Sequence, residues 1–311
     1  MRNANPLPPE FEGTTFTTRS ARNRGVPEKR LRAKDLRAPY RGVRTAASSL
    51  PVPGDPDSET QLADLVHQAV AYATRAGDDE VFSHATAARL WGISLPWWLE
   101  VRPGLDVAVY EPAHPPQVEG IFGHRIARDV GFELVHGVRV TPPVETWIQL
   151  ASLLGVHDLV VAGDALVRRK RPLSTTAELT EAAVNARRRP GVRRLRAAAL
   201  VVRPGTDSPM ESRLRMLIVQ AGLPEPLVGH TVFDDGGNWV GTPDLAYPEH
   251  RVALEYEGDI HRIDQLTFRS DIERRERFYD ARWRIIRVVK DHLDRPAPLL
   301  ARIRSALSSS R

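Results

Sequence analysis

Three acidic residues late in the chain have the types and spacing of a site for a divalent cation. Residues 252–257 alternate so that Glu255 and Glu257 fall on one face of a strand, and Asp244 lies eleven residues before Glu255. Carboxylates crowded on an apolar strand repel one another and lose hydration, and a divalent cation offsets both costs. The pattern therefore favours a site for Mg²⁺ or Mn²⁺, which prefer hard oxygen ligands.

The same acidic residues also admit an explanation without a metal. An exposed strand face can carry two glutamates when basic side chains pair with them, and Arg251, His261 and Arg262 are close in sequence. The opposite face of the strand is entirely apolar. This one-sided pattern predicts a strand that packs on a core with one face and presents its glutamates on the other.

A fourth carboxylate stands at a predicted helix start. The segment from Ser208 to Glu211 has the pattern of a capping box, with Ser208 as the N-cap and Pro209 at the first helical position. Glu211 therefore either completes the capping box or points from the helix toward the other acidic residues. The sequence leaves both roles open.

Further candidates follow the acidic strand. His261, one turn after it, could act as an acid or a base near neutral pH. A helix is predicted from about residue 264 to 282, and Arg274 or Arg275 on it could contact a phosphate.

These side chains require a defined order of elements. Residues 204–311 predict a helix, three antiparallel strands, a helix, a strand and a helix. The predicted strands are 227–233, 239–247, 252–257 and 283–289. The last strand follows a crossover helix, so it should lie parallel to the third. The predicted fold class is α+β, with a mixed sheet flanked by helices.

The acidic motif also carries a family resemblance. Pro243-Asp244, ten residues and then Glu255-Tyr256-Glu257 resembles the PD-(D/E)xK signature, with Glu257 at the usual lysine position. The string EYEGDIH resembles the E-x-D-G-x-x-H pattern of a very-short-patch-repair-endonuclease-like domain of unknown function. In that family an acidic residue is normal at the position that Glu257 occupies. The resemblance covers nearly all of residues 204–311. It implies a restriction-endonuclease-like fold that cleaves DNA with Mg²⁺ or Mn²⁺ held by Asp244, Glu255 and Glu257.

The segment 14–58 is the second candidate functional region. It predicts a helix through Arg24, a glycine turn, a helix from about Pro27 to Leu36, and a hairpin strand or wing at 39–44. Such a winged helix-turn-helix would bind DNA through exposed cations. The candidate contacts are Lys29, Arg30, Arg32, Lys34 and Arg41. A small basic helical pair that only packs on the next segment fits equally well.

This region also resembles a known family. The string FTTRSARNRGVPEKRLRAKDLRAPYRGVR resembles the N-terminal winged helix of AbiEi-type antitoxins, and the strings FSHATAARLWGISLP, RVTPPVETWIQLA and DLVVAGDALVR extend the resemblance to about residue 170. It implies DNA binding and, in some members, autoregulation of an operon with a nucleotidyltransferase toxin. A cognate toxin is therefore a candidate partner.

Length and composition set the remaining expectations. Breaks rich in proline and glycine divide the 311 residues into a flexible start (1–13), a winged-helix module with its linker (14–58), an AbiEi-like middle scaffold (59–203) and a nuclease-like domain (204–311). The absence of cysteine excludes disulfides and thiolate sites. Without a signal peptide or an apolar run of about 20 residues, a cytoplasmic protein with no membrane partner is expected.

Two functions follow from these patterns. The first is a metal-dependent DNA endonuclease with a DNA-binding N-terminal module. The alternative is an AbiEi-like antitoxin or transcriptional regulator that binds DNA and whose nuclease-like domain is catalytically inactive. The complete acidic trio favours the first, and the missing lysine and the antitoxin-like first half favour the second.

Overall fold

The chain forms two compact units. The computed structural model describes residues 5–46, 58–258 and 265–309. The first unit spans residues 1–150 and the second spans residues 151–311. Within the described ranges, no helix has both the length and the apolar character needed to cross a membrane.

A small helical and β module begins the first unit. After a 3-10 turn at Pro9–Phe11, its elements are β1 (Thr15–Thr17), α1 (Thr18–Asn23), α2 (Glu28–Leu31), β2 (Leu36–Arg37) and β3 (Val43–Ala46). The strands pair antiparallel in the order β1-β3-β2. The module has its own core, in which Phe16, Ala21 and Leu31 are buried.

Two short helices occupy the segment for which a helix-turn-helix was predicted. Thr17 caps α1 by accepting a hydrogen bond from the Ser20 amide. The second helix was predicted to reach Leu36, but it ends at Leu31, because Arg32 leaves the helical conformation. The chain then enters β2, and the predicted wing is the turn from β2 into β3.

A mixed sheet forms the rest of the first unit. Its elements are α3 (Ser58–Ala73), β4 (Glu80–Phe82), α4 (His84–Leu90), α5 (Trp97–Glu100), β5 (Leu105–Tyr110), β6 (Ile121–Ile126), β7 (Glu133–Val135), β8 (Val138–Val140) and α6 (Pro143–Leu150). The strand order is β6-β5-β4-β8-β7. Helices α3 and α4 bury Leu65, Tyr72 and Leu90 against this sheet.

The second unit combines helices with a four-stranded sheet. Its elements are α7 (Val156–Leu166), α8 (Thr176–Asn185), α9 (Val192–Ala199), α10 (Pro209–Gln220), β9 (Leu227–Val228), β10 (Val232–Phe233), β11 (Trp239–Gly241), β12 (Leu245–Tyr247), β13 (Val252–Tyr256), α11 (Gln265–Asp280), β14 (Arg284–Val288), α12 (Lys290–Asp294) and α13 (Ala297–Ser308). The sheet order is β14-β13-β12-β9, and β10 pairs with β11 in a separate ribbon.

The sheet confirms the predicted crossover, because β14 runs parallel to β13 and β12 runs antiparallel to it. Two predicted strands are each divided in two. The strand predicted for 239–247 breaks into β11 and β12 at residues 242–244, where Pro243 has no amide proton to donate to a ladder. The strand predicted for 227–233 is likewise β9 and β10.

The two faces of β13 pack on different neighbours, although the alternation predicted a core on one face only. Val252 and Leu254 join the core that α10 and α13 cover. Ala253 packs on the other side with Phe278 of α11. The face of β13 that carries the acidic residues is therefore the face that α11 covers.

The helices α7, α8 and α9 belong to the second unit, although the sequence analysis assigned residues 151–203 to the middle scaffold. Asp164 of α7 and Arg215 of α10 form an ion pair of 2.9 Å, and both side chains are fully buried. Arg215 also donates to Glu225, and Asp164 accepts from the Arg203 amide. The pair fixes the three helices to the sheet domain.

Replacing Arg215 with methionine tests this pair. We expect the free energy of unfolding to fall by about 3–5 kcal/mol, because Asp164 would remain buried without its cation. Urea denaturation measures the loss. The control is Arg213→Met on the same helix, where the side chain is partly exposed and the expected change is below about 0.5 kcal/mol. Equal losses in both variants would contradict a structural role for the pair.

Candidate functional site

Two of the predicted acidic residues lie on neighbouring strands of the second unit. Asp244 directly precedes β12, and β12 pairs with β13 so that Leu245 faces Leu254. This register places Asp244 beside Glu255. One carboxylate oxygen of Asp244 accepts the Tyr256 amide at 2.7 Å, and its backbone carbonyl accepts the Gly229 amide at 3.0 Å. The backbone of three strands thus fixes the position of Asp244.

Glu211 at the start of α10 performs half of the predicted capping box. Its amide donates to the Ser208 hydroxyl at 3.2 Å, as expected for an N-cap serine. Its carboxylate accepts the Asp207 amide at 2.9 Å, one residue earlier than a capping box requires. The Glu211 side chain is buried, and burial raises its pKa.

Electrostatics show that these carboxylates form one cluster. Burial raises the pKa of Asp244 to about 7, and repulsion from Glu211 and from Glu255 contributes to the rise. The Tyr256 amide and the Arg274 guanidinium act to lower the pKa of Asp244, but they do not cancel the rise. We call Glu211, Asp244 and Glu255 the carboxylate cluster. Its negative charge is costly to the fold, which is frequent at functional sites.

Arg274 supplies the positive charge nearest to the cluster. From α11 it donates to Glu255 at 2.6 and 3.0 Å, and it also donates to the Thr242 carbonyl at 2.9 Å. Both side chains are largely buried. Arg275, the other predicted phosphate contact, is exposed. Of the two candidates, the structure brings Arg274 to the cluster.

Glu257 takes a different direction from the other acidic residues. Its carboxylate pairs with Arg287 on the parallel strand β14 at 2.8 Å. Arg251, one of the cations expected to balance the acidic face, instead pairs with Asp235. His261 lies outside the described residues. Glu255 of β13 and Glu257 directly after it thus each have an arginine partner, and Arg287 was not found from the sequence because only the parallel register brings it there.

The cluster fits a divalent cation in donor chemistry. In the part of the chain that the structure describes, no group of three or more histidine, aspartate or glutamate side chains converges as a metal cage. The oxygens point instead to the Tyr256 amide, the Asp207 amide and Arg274. The donors are nonetheless hard anionic oxygens in a partly buried, like-charged group, which Mg²⁺ or Mn²⁺ binds readily.

The predicted DNA contacts of the first unit divide into paired and unpaired cations. Arg30 is held by Asp35 in a two-point ion pair, and Arg32 pairs with Glu28. Lys29, Lys34 and Arg41 are exposed, and the described residues offer their side chains no partner. The sequence could not separate the two groups, because Asp35 reaches Arg30 only once α2 has ended.

The first unit also contains a buried polar group that the sequence did not predict. His84 stacks on His124 with ring centroids 3.7 Å apart, and His124 bonds Asp106 at 2.8 Å. The His84 amide donates to Gln149 at 2.9 Å. These contacts hold His84 at the start of α4.

The comparisons with known proteins give relatives without a stated function. Two uncharacterized proteins of Mycobacterium tuberculosis, from strains CDC 1551 and H37Rv, are each 27% identical to this chain over 255 residues. The matched region covers 81% of this chain and 90% of each relative. No protein-family model matches the chain, and no solved structure matches it significantly.

Neutralising Asp244 tests the charge of the cluster without any activity assay. A pKa raised to about 7 means that the fold favours the protonated form, so the carboxylate lowers stability increasingly as the pH rises from about 4 to 7. We expect Asp244→Asn to raise the melting temperature in EDTA by about 2–6 °C at pH 8 and to change it little at pH 4. Thermal melts across this pH range measure the difference.

The control for this experiment is Asp234→Asn in the β10–β11 loop. Hydrogen bonds from Asn238 and from loop amides lower the pKa of Asp234, so its charged form is the stabilising one. Neutralising it should not raise the melting temperature at pH 8. An Asp244→Asn protein with no stabilisation at that pH would contradict the clustering of the carboxylates.

Proposed function

We propose that this protein is a metal-dependent DNA endonuclease whose active site is the carboxylate cluster. The observation that carries the proposal is the partly buried like-charged group of Glu211, Asp244 and Glu255, which come from a helix and two adjacent strands. At Asp244 a structural role would be served as well by an asparagine, whose side-chain oxygen could accept the Tyr256 amide. The resemblance of Pro243-Asp244 and Glu255-Tyr256-Glu257 to the PD-(D/E)xK signature supports the same reaction.

Each residue then has a defined role. Asp244 and Glu255 would hold the cation, with Glu211 completing the anionic side of the site. When bound, Mg²⁺ or Mn²⁺ would supply a hydroxide-like water and a counter-charge for the phosphate. Arg274 lies at hydrogen-bonding distance from Glu255, so its guanidinium is placed to donate to an oxygen of the scissile phosphate.

Two remaining residues of the motif need separate assignments. Glu257 is held by Arg287, so we propose that it orients the strand end and a water rather than binding the cation directly. His261 remains the candidate acid or base by its place in the sequence motif. The exposed cations Lys29, Lys34 and Arg41 would bind DNA through the first unit.

The second candidate is the DNA-binding regulator with an inactive nuclease-like domain. It is favoured by the arginine partners of the glutamates, because Arg274 and Arg287 balance Glu255 and Glu257 without a metal. It is weakened by Asp244, because burial and the charges of Glu211 and Glu255 raise the pKa of this carboxyl although Arg274 opposes the rise.

A plasmid assay tests the proposed reaction. Supercoiled plasmid is incubated with the full chain in Mg²⁺, Mn²⁺ or EDTA, and nicked and linear products are measured. We expect cleavage only with metal, and a loss of more than about 100-fold in Asp244→Asn and Glu255→Gln. The control Glu249→Gln, on an exposed turn, should cleave at the wild-type rate.

The outcomes separate the two functions. Wild-type protein that shifts plasmid in a gel but cuts in no metal would reject the nuclease and favour the regulator. Cutting that survives both Asp244→Asn and Glu255→Gln would show that the nuclease site lies elsewhere.

Adjacent arginines on α11 provide a matched pair for the phosphate contact. We expect Arg274→Gln to reduce kcat by more than about tenfold, because its guanidinium is the one at the cluster. Arg275→Gln removes the same charge from an exposed position and should change kcat by less than about twofold. Single-turnover cleavage of an end-labelled duplex measures both rates, and similar losses would remove the assigned role of Arg274.

A further inference from the structure

A closed basic turn follows α7 in the second unit. Arg168, Arg169, Lys170 and Arg171 are consecutive, and we call them the basic turn. The Leu166 carbonyl closes the turn by accepting hydrogen bonds from the amides of residues 173 and 174 at 2.8 and 3.1 Å. This backbone geometry holds the four cations in a defined loop rather than on a flexible segment.

The conformation of Arg171 is unusual for an arginine. Its φ of +53° lies in the left-handed region that side chains other than glycine rarely adopt. Arg168 helps to hold this conformation, because its Nε atom donates to the Arg171 carbonyl at 3.2 Å. The conformation of the turn is therefore held by a side-chain contact within it.

Arg169 places the basic turn beside the carboxylate cluster. Its guanidinium pairs with Asp207 with a Nε to Oδ2 distance of 2.9 Å, and the Asp207 amide donates to Glu211. A Cβ atom built on Gly229 would lie 3.9 Å from the Arg169 guanidinium, and the Gly229 amide bonds the Asp244 carbonyl. The ion pair with Asp207 and the charge of Arg169, which acts to lower the pKa of Glu211, therefore link the turn to the cluster.

Lys170 and Arg171 differ from Arg169 in having no counter-charge. Both are exposed, and among the described residues their side chains have no hydrogen-bond or ion-pair partner. A fold that already satisfies Arg168 and Arg169 thus leaves two adjacent cations open to solvent at the edge of an acidic site.

We propose that Lys170 and Arg171 bind the phosphodiester backbone of the DNA duplex that the carboxylate cluster cuts. The assignment rests on the proposed function. Three clustered carboxylates repel a polyanion, so a substrate backbone can approach them only where neighbouring cations offset that repulsion. Contacts of this kind position the duplex without selecting its base sequence.

Binding is measured without cleavage in the Asp244→Asn protein. Fluorescence anisotropy follows a labelled 30-base-pair duplex from 50 to 200 mM salt, with and without the further changes Lys170→Ala and Arg171→Ala. We expect the Kd to rise by about tenfold at 100 mM salt, and the slope of log Kd against log salt to fall by about one to two.

The control removes the same charge from exposed positions elsewhere in the second unit. Arg295→Ala with Arg302→Ala, near and on α13, takes away two exposed arginines and should leave the Kd within about twofold. Equal effects in the two double variants, an unchanged Kd in the Lys170 and Arg171 variant, or no binding by the Asp244→Asn protein would each overturn the assignment.

Plasmid cleavage separates this assignment from the proposed function. If the wild-type protein cuts and the basic-turn variant binds and cuts as well as the control, the nuclease stands and the basic turn is not its contact. If the wild-type protein does not cut in any metal but the basic-turn variant still loses affinity and salt slope, the nuclease fails and the backbone contact stands.

Discussion

The buried ion pair between Asp164 and Arg215 is the interaction on which the second unit depends. It joins α7 to α10, and each of these helices positions charged residues that the acidic strands do not carry. The helix α10 brings Glu211 to the cluster, and α7 ends in the basic turn. A buried pair contributes little net stability compared with apolar packing, but it tolerates only one register. Here the pair fixes the position of α7 relative to α10.

Charge at the site is only partly balanced. Arg274 holds Glu255 and Arg287 holds Glu257. Among the described residues, the Tyr256 amide and the charge of Arg274 act on Asp244 against two neighbouring carboxylates. A charged carboxylate packed beside other carboxylates lowers the stability of the fold. Asp244 has this position where two strands and the start of a helix meet. Sites of this kind are where stability and function are most often opposed.

Much of the second unit could be predicted because local rules govern it. The Ser208 cap, the one-sided alternation of β13 and the parallel placement of β14 follow from capping, period-two alternation and crossover geometry. What escaped prediction depends on long-range contacts. The partner of Asp164 lies fifty-one residues away, and Glu257 meets Arg287 only through strand register. The break at Pro243 was visible in the sequence, but its effect on the sheet was not.

Glu211 has a structural role at the start of α10 as well as its proposed role in the cluster, and this affects how sequences of related proteins should be compared. Its carboxylate accepts the Asp207 amide at the start of α10, so a protein that had lost any reaction would still gain from keeping it. Asp244 brings no comparable benefit, since an asparagine oxygen could accept the Tyr256 amide equally well. Drift should therefore erase Asp244 long before Glu211. Under the proposed function, the residue at position 244 is therefore the one that distinguishes relatives able to cleave DNA from relatives that have lost the reaction.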